Sequence, residues 1–288
     1  MRIVKHYQKI INIAIQKYIS KDTITVRNLY PGNLASLKLL LLAGILVLSF
    51  SCQSGNRTAT DETPTRGKIK IAVDESFQPI IDTEVYTFTS LYKNATITPE
   101  YKPEFDVIND FMNDSVKVMV TSKNLTENQI QYLRDTLVVA RTTRFAYDAL
   151  AFITNRENTD SLIRYEIIRD IFKGKITSWK EINPKSKLDE IRVIFDNNKS
   201  GSIRYFREVF EIDGPLGSNF FAVNNNPEVI DFVSRNRDAL GIISANWISD
   251  KDDSLSMSFT KKVNVLAISQ EYVNDGSFYR PYQGSIYD

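Results

Sequence analysis

Histidine and cysteine are nearly absent: the 288 residues hold one of each, His6 and Cys52. Beyond Cys52 the chain therefore has no nucleophile–histidine pair and no His or Cys set with zinc-ligand spacing. A G-x-G-x-x-G or Walker-type loop is also missing, so no nucleotide cradle is expected. Ser90-Leu91-Tyr92-Lys93 matches the S-x-x-K acyltransferase signature, but its S-D-N and K-T-G companions are absent and the match is read as chance. No cofactor and no enzymatic activity are expected. Positive charge is scarce where a nucleic-acid partner would demand it. The formal charge of +1 comes from 36 bases and 35 acids, of which residues 1–51 hold seven bases and one acid, leaving 29 against 34 and a net of about −5. Nucleic acid is thus excluded as a partner.

Long apolar runs are also lacking. Leu39 to Phe50 is uncharged but only 12 residues long, against the roughly 20 needed to span a bilayer. Preceded by Lys38 and followed by Ser51 and Cys52, it has the size and flanks of an export signal. A cysteine at that point is the lipoprotein arrangement, in which the thiol takes a diacylglycerol and becomes the new N-terminus. Residues 1–51 are accordingly read as leader and lipoprotein signal, with Cys52 the lipidation site and the membrane a partner through the anchor. The 37 residues ahead of Lys38 are either a basic extension or lie upstream of the true start. Residues 52–67, polar and rich in threonine, read as a tether.

From Lys68 onward, short apolar runs alternate with segments of helical period, which predicts an α/β fold with largely parallel sheets. Expected strands are Ile69–Val73, Ala95–Pro99, Val116–Thr121, Leu137–Ala140, Ala146–Thr154, Ile191–Phe195, Leu240–Ser244 and Val263–Ser269. Ile81, Val85, Phe88 and Tyr92 mark the buried face of one helix, and further helices are expected at 104–112, 126–134, 161–172, 202–210 and 226–235.

Two strand-to-helix turns carry the chemistry. Asp196-Asn197-Asn198-Lys199-Ser200-Gly201-Ser202 places hydroxyls and a glycine where free N–H groups and the positive end of a helix dipole accept an anion. Asp74-Glu75-Ser76-Phe77-Gln78-Pro79 is a second turn of the same kind. On residue types alone an ordinary N-cap is the commoner role of both, with Ser76 the expected cap of the second. In Ile171-Phe172-Lys173-Gly174-Lys175-Ile176-Thr177-Ser178-Trp179, Gly174 is expected to end a helix while Phe172 and Trp179 pack.

This last motif, about twenty residues ahead of the S-G-S, resembles that of the phosphate-binding proteins of ABC transporters. Ala239-Leu240-Gly241-Ile242-Ile243-Ser244 and Ala146–Thr154 are similar to strands of the same family. The resemblance implies a two-lobed type 2 periplasmic binding protein fold, with residues 68–147 beginning lobe one, 148–262 forming lobe two, and 263–288 returning to lobe one. Ala146–Thr154 and Val263–Ser269 would be the two hinge strands. It implies a solute-binding lipoprotein at the cell envelope, serving ABC permease subunits and capturing phosphate or another small oxyanion. The alternative is a binding or sensing lipoprotein on the same fold that transports nothing and takes a different ligand. Family positions map onto Ser76, Phe77, Ser122, Ser200, Gly201 and Ser202. Two charges are reversed relative to the family pattern: Asp196 stands where it has an arginine, and Lys123 where it has an acid. The ligand's charge would then be met by Lys123 and Arg204, with Asp196 paired to one of these bases, and phosphate would be poorly distinguished from sulfate. Arg280 to Asp288 is similar to the approach to the family's last strand and helix, so the chain reads as truncated.

Overall fold

The computed structural model describes residues 62–270 and 275–282. The lipidation site Cys52, the leader and most of the tether lie outside them, as do residues 283–288. The chain divides into two compact units, Met1–Lys68 with Thr89–Thr96, and Ile69–Phe88 with Ile97–Asp288. In the described part of the first, a bridge joins Thr63 to Arg66, and the Gly67 N–H donates to the Asn94 carbonyl at 3.0 Å.

The smaller of the two main sheets has the order β2-β1-β3, from β1 (Gly67–Asp74), β2 (Ala95–Lys102) and β3 (Met119–Val120). β1 and β3 run parallel, with Ala72 opposite Met119 and Val73 opposite Val120. Asp74 ends β1 and caps a short 3-10 turn, Glu75–Phe77, by accepting from the Ser76 N–H at 3.0 Å. The expected cap, Ser76, is therefore itself capped, because the longer side chain of Asp74 reaches the free N–H from two residues earlier. Helix α1 (Gln78–Leu91) follows. Of the four predicted core positions Ile81 is buried, Val85 and Phe88 are half-buried, and Tyr92, also half-buried, lies one residue past the helix end. After β2, Pro103 starts α2 (Glu104–Met112), and α3 (Glu127–Asp135) opens on a capping box formed by Thr126 and Gln129.

The larger sheet has the order β7-β6-β8-β4-β9. Its strands are β4 (Leu150–Asn155), β6 (Arg192–Phe195), β7 (Phe220–Ala222), β8 (Ala239–Ser244) and β9 (Val263–Val265). β6 is parallel to β7 and β8, but β4 is antiparallel to both β8 and β9. The sheet is therefore mixed rather than largely parallel. β4 and β9 lie side by side, Ile153 facing Val265. A short parallel pair, β5 (Leu162–Ile163) with β10 (Ala267–Ile268), completes the strands.

Helices cover both faces. On one, α4 (Tyr165–Phe172), α5 (Trp179–Ile182) and α6 (Gly201–Val209) accompany a cluster that includes Phe152, Phe172, Trp179, Phe195, Phe206 and Leu240. Gly174 turns the chain after α4 at a φ of +69°, as expected of a helix-ending glycine. On the other face, α7 (Asn226–Arg235) and α8 (Ser254–Lys262) accompany Ile153, Val229, Val233, Ile243, Trp247 and Phe259. Residues 136–149, where a strand was expected at Leu137–Ala140, hold no strand. Leu137 and Val139 are exposed, so the apolar run has no surface to pack against.

Gly241 of β8 sits under α7, where an added Cβ would stand 2.7 Å from Ile153 Cγ1 and Val233 Cγ2 and 3.0 Å from Val229 Cγ1. All three neighbours are β-branched and fully buried, so none swings aside. Gly241→Ala is therefore expected to destabilise the protein by about 1–3 kcal/mol. Denaturant unfolding checks this; a variant as stable as wild type would mean that α7 shifts freely on the sheet.

Candidate functional site

Three chain segments far apart in sequence meet at the start of α6. Ser200 is its N-cap, with the Ile203 N–H pointing at its hydroxyl. Ser200 and Ser202 hydroxyls lie 2.8 Å apart, and Ser202 donates to Asp196 Oδ1 at 2.8 Å. Gly201 lets three side-chain oxygens close onto the helix start. A Cβ there would stand 3.0 Å from Glu104 Oε1 and 3.1 Å from both Asp74 Oδ2 and Ser122 Oγ.

Glu104, the first residue of α2, is the centre of this arrangement. Its Oε1 accepts from Ser122 Oγ at 2.6 Å, Thr121 Oγ1 at 3.0 Å and Arg204 Nη2 at 3.1 Å, while Oε2 accepts from Arg204 Nε. Arg204 also donates to Ser122 Oγ at 2.9 Å and to Glu208 Oε2 at 2.8 Å. The Phe105 N–H bonds the Lys199 carbonyl at 3.2 Å, and Lys199 Nζ reaches Asp106 at 2.9 Å, so the start of α2 is tied to the loop before α6. A surface groove of about 1010 Å³, lined in part by Phe105, Ser200, Ile203, Arg204 and Glu208, opens beside it.

The electrostatics are unusual for an anion site. Asp74, Glu104 and Asp196 are 2%, 2% and 4% exposed, and only Glu104 has a base bonded to it. Burial, aided by the nearby charges of Glu104 and Asp196 and partly offset by the Ser76 N–H, pushes the Asp74 carboxyl up to about 7. Burial also raises Asp196 against the hydrogen bonds of Ser200 and Ser202. Glu75 rises to about 7 through burial, although it takes the Asn226 N–H at 3.1 Å and Nδ2 at 2.7 Å at the start of α7. For Glu104, burial is outweighed by hydrogen bonds from Arg204 and Ser122, and its carboxyl is held below the ordinary range.

Of the residues expected at a site, Ser122, Ser200, Gly201, Ser202 and Arg204 are brought together here. Ser76 and Phe77 belong to the turn after β1, where the Ser76 N–H donates to Asp74 and the Ser76 carbonyl accepts from Asn246 Nδ2. Phe77 packs against the cluster of Ile71, Val73 and Ile81. Lys123 is bonded to none of these hydroxyls; its Nζ pairs with Glu208 at 3.3 Å, at a half-exposed position that spares the ammonium full desolvation. One expected pairing is corrected. Asp196 pairs with neither base, because Arg204 is turned to Glu104 and the Ser200 and Ser202 hydroxyls supply its partners. Glu104 was missed altogether: an acid in the first turn of a helix is ordinary, and its partners lie 17, 18 and 100 residues away. Among the described residues, no group of three or more His, Cys, Asp or Glu could hold a metal ion.

The model of the PBP superfamily domain matches residues 58–288. The chain belongs to the PBP superfamily. Among its relatives is the phosphate-binding protein PstS of Borreliella burgdorferi, 25% identical over 209 residues, which are 71% of this chain and 70% of that one. The PstS of Staphylococcus saprophyticus is 22% identical over 214 residues, 74% of this chain and 66% of its own. A putative phosphate ABC transporter substrate-binding protein from Clostridium perfringens, solved with bound phosphate, superposes with a TM-score of 0.59 at 22% identity, covering 70% of this chain and 76% of that one. The fold is thus the α/β fold of type 2 periplasmic binding proteins, as the sequence motifs imply.

Proposed function

We propose that this chain is the solute-binding component of an ABC importer that captures phosphate or a related oxyanion, acting at the cell envelope through a lipid on Cys52. The observation that carries this reading is the convergence of hydroxyl and guanidinium donors (Ser122, Ser200, Ser202 and Arg204) at the start of α6. The relatives named for phosphate binding agree with it. Residues 68–147 with 263–288, and residues 148–262, would be its lobes, with β4 and β9 in the connections between them. Calorimetric titration with inorganic phosphate and sulfate tests the reading. Saturable phosphate binding that is lost in Ser202→Ala supports it; no binding of either anion at millimolar concentration refutes it.

A second reading, a binding or sensing lipoprotein with a different ligand, is favoured by one observation. Each of the three mapped turns already has its own buried carboxylate: Asp74 at Ser76, Glu104 at Ser122 and Asp196 at Ser202. Such a set suits a ligand that brings hydrogen-bond donors, and binding of an uncharged or cationic solute in the same titration, without phosphate, would establish it.

A further inference from the structure

We infer that Glu104 is an affinity-determining residue of the oxyanion site, its carboxylate occupying the donors that the anion would use so that binding requires its displacement. The inference rests on the oxyanion reading above and deepens it. Glu104 Oε1 has three donors, two hydroxyls and a guanidinium N–H, and Oε2 a fourth, which is the coordination an oxyanion takes from a protein. These donors come from the turn after β3 and from α6, while the acid comes from α2, so Glu104 bridges them as an external anion would. Its Oε1 would lie 3.0 Å from a Cβ on Gly201, which puts it against the helix start itself. The carboxylate is not there by accident of a loose surface chain. It is 2% exposed, and α2 is fastened to the loop before α6 by the Phe105 N–H and by the Lys199–Asp106 pair.

An arriving oxyanion meets like charge and filled donors, and must displace Glu104 from Arg204 and Ser122 before it gains them. The groove beside α6 exposes Arg204 and gives the anion its approach. Removing the charge while keeping the side-chain shape should therefore strengthen anion binding, the reverse of what a ligand-coordinating acid would do. Two unit charges a few ångströms apart interact strongly enough in a partly buried site for the gain to exceed about tenfold in Kd.

The experiment is calorimetric titration of wild type and Glu104→Gln with inorganic phosphate at pH 7. At least tenfold tighter binding by the variant is expected, including the case in which only the variant binds. If wild type binds phosphate as tightly as the variant or more so, the inference falls while the oxyanion reading stands. If neither binds, both fall together. Should Glu104→Gln not fold, the wild-type Glu104 side-chain carboxyl is followed by carbon-detected NMR during phosphate titration. A saturable shift shared with the Arg204 Nε–H signal supports displacement, and an unmoved carboxyl at saturating phosphate overturns it.

Discussion

Replacing Arg204 with alanine is expected to destabilise the protein by about 3–5 kcal/mol, the cost of stranding a buried carboxylate without its counter-charge. Glu104 is 2% exposed and would keep only the hydroxyls of Thr121 and Ser122 as partners. The same Arg204→Ala change made on top of Glu104→Gln should cost far less, because no charge is then left unpaired. The resulting non-additivity should exceed about 1 kcal/mol, as for residues in one bonded network. Urea unfolding of the four proteins checks this. A single-variant loss below about 1 kcal/mol, or strictly additive losses, would show that the pair does not hold α2 against α6. The same variant should also lose phosphate binding if the oxyanion reading is right, since Arg204 is the only base bonded to the hydroxyl set among the described residues.

Stability is expected to fall as pH rises from about 5 to 8. Asp74 and Glu75 are both pushed up to about 7, in each case chiefly by burial, from ordinary values of 3.8 and 4.5. Between those limits the folded protein holds protons that the unfolded chain has released, so stability declines with pH. The protonated carboxyls contribute fully below the unfolded values, and the contribution is gone above about 7. At 1.36 kcal/mol per pKa unit, the rise at Asp74 alone corresponds to a loss on the order of 4 kcal/mol between about pH 4 and 7, of which the part above pH 5 is on the order of 3 kcal/mol. Glu104 acts in the opposite sense, but its contribution is lost only at pH below the ordinary carboxylate range, outside the window. Asp74→Asn keeps an oxygen for the Ser76 N–H and has no proton to lose. It should flatten the profile and be more stable than wild type at pH 8. Denaturant midpoints at pH 5, 6, 7 and 8 decide the matter; a wild-type profile that is flat or rising, and unchanged in Asp74→Asn, would sink the claim.

Local pattern was enough for much of the framework. The helices at 104–112 and 226–235 were legible from apolar spacing and end signals. The turn motif through Gly174 to Trp179, with Trp179 fully buried, carried the family resemblance together with the S-G-S and the strand motifs that follow it. The hydroxyl-rich start of α6 was equally plain, because Ser, Gly and Ser at a strand-to-helix turn announce free N–H groups whatever they serve. Other elements were not legible. Helix α8 has few apolar positions and is placed by packing Phe259 against Trp247. The run Leu137–Ala140 has strand composition but no partner strand, and a strand exists only when a neighbour takes its hydrogen bonds.

The residue types at the helix start and the alternation of the chain are local properties, since both depend on neighbours a few positions away. The charge of the site arises from packing. Glu104 and Arg204 are 100 residues apart, and Ser122 and Arg204 are 82 apart, so no periodicity relates them. Lys123 and Asp196 look like reversed charges of one site when read along the chain. In the fold Lys123 goes to Glu208, Asp196 goes to serine hydroxyls, and an acid from α2 takes the arginine. The cost of desolvating each charge, which exists only once the segments have packed, sets these pairings.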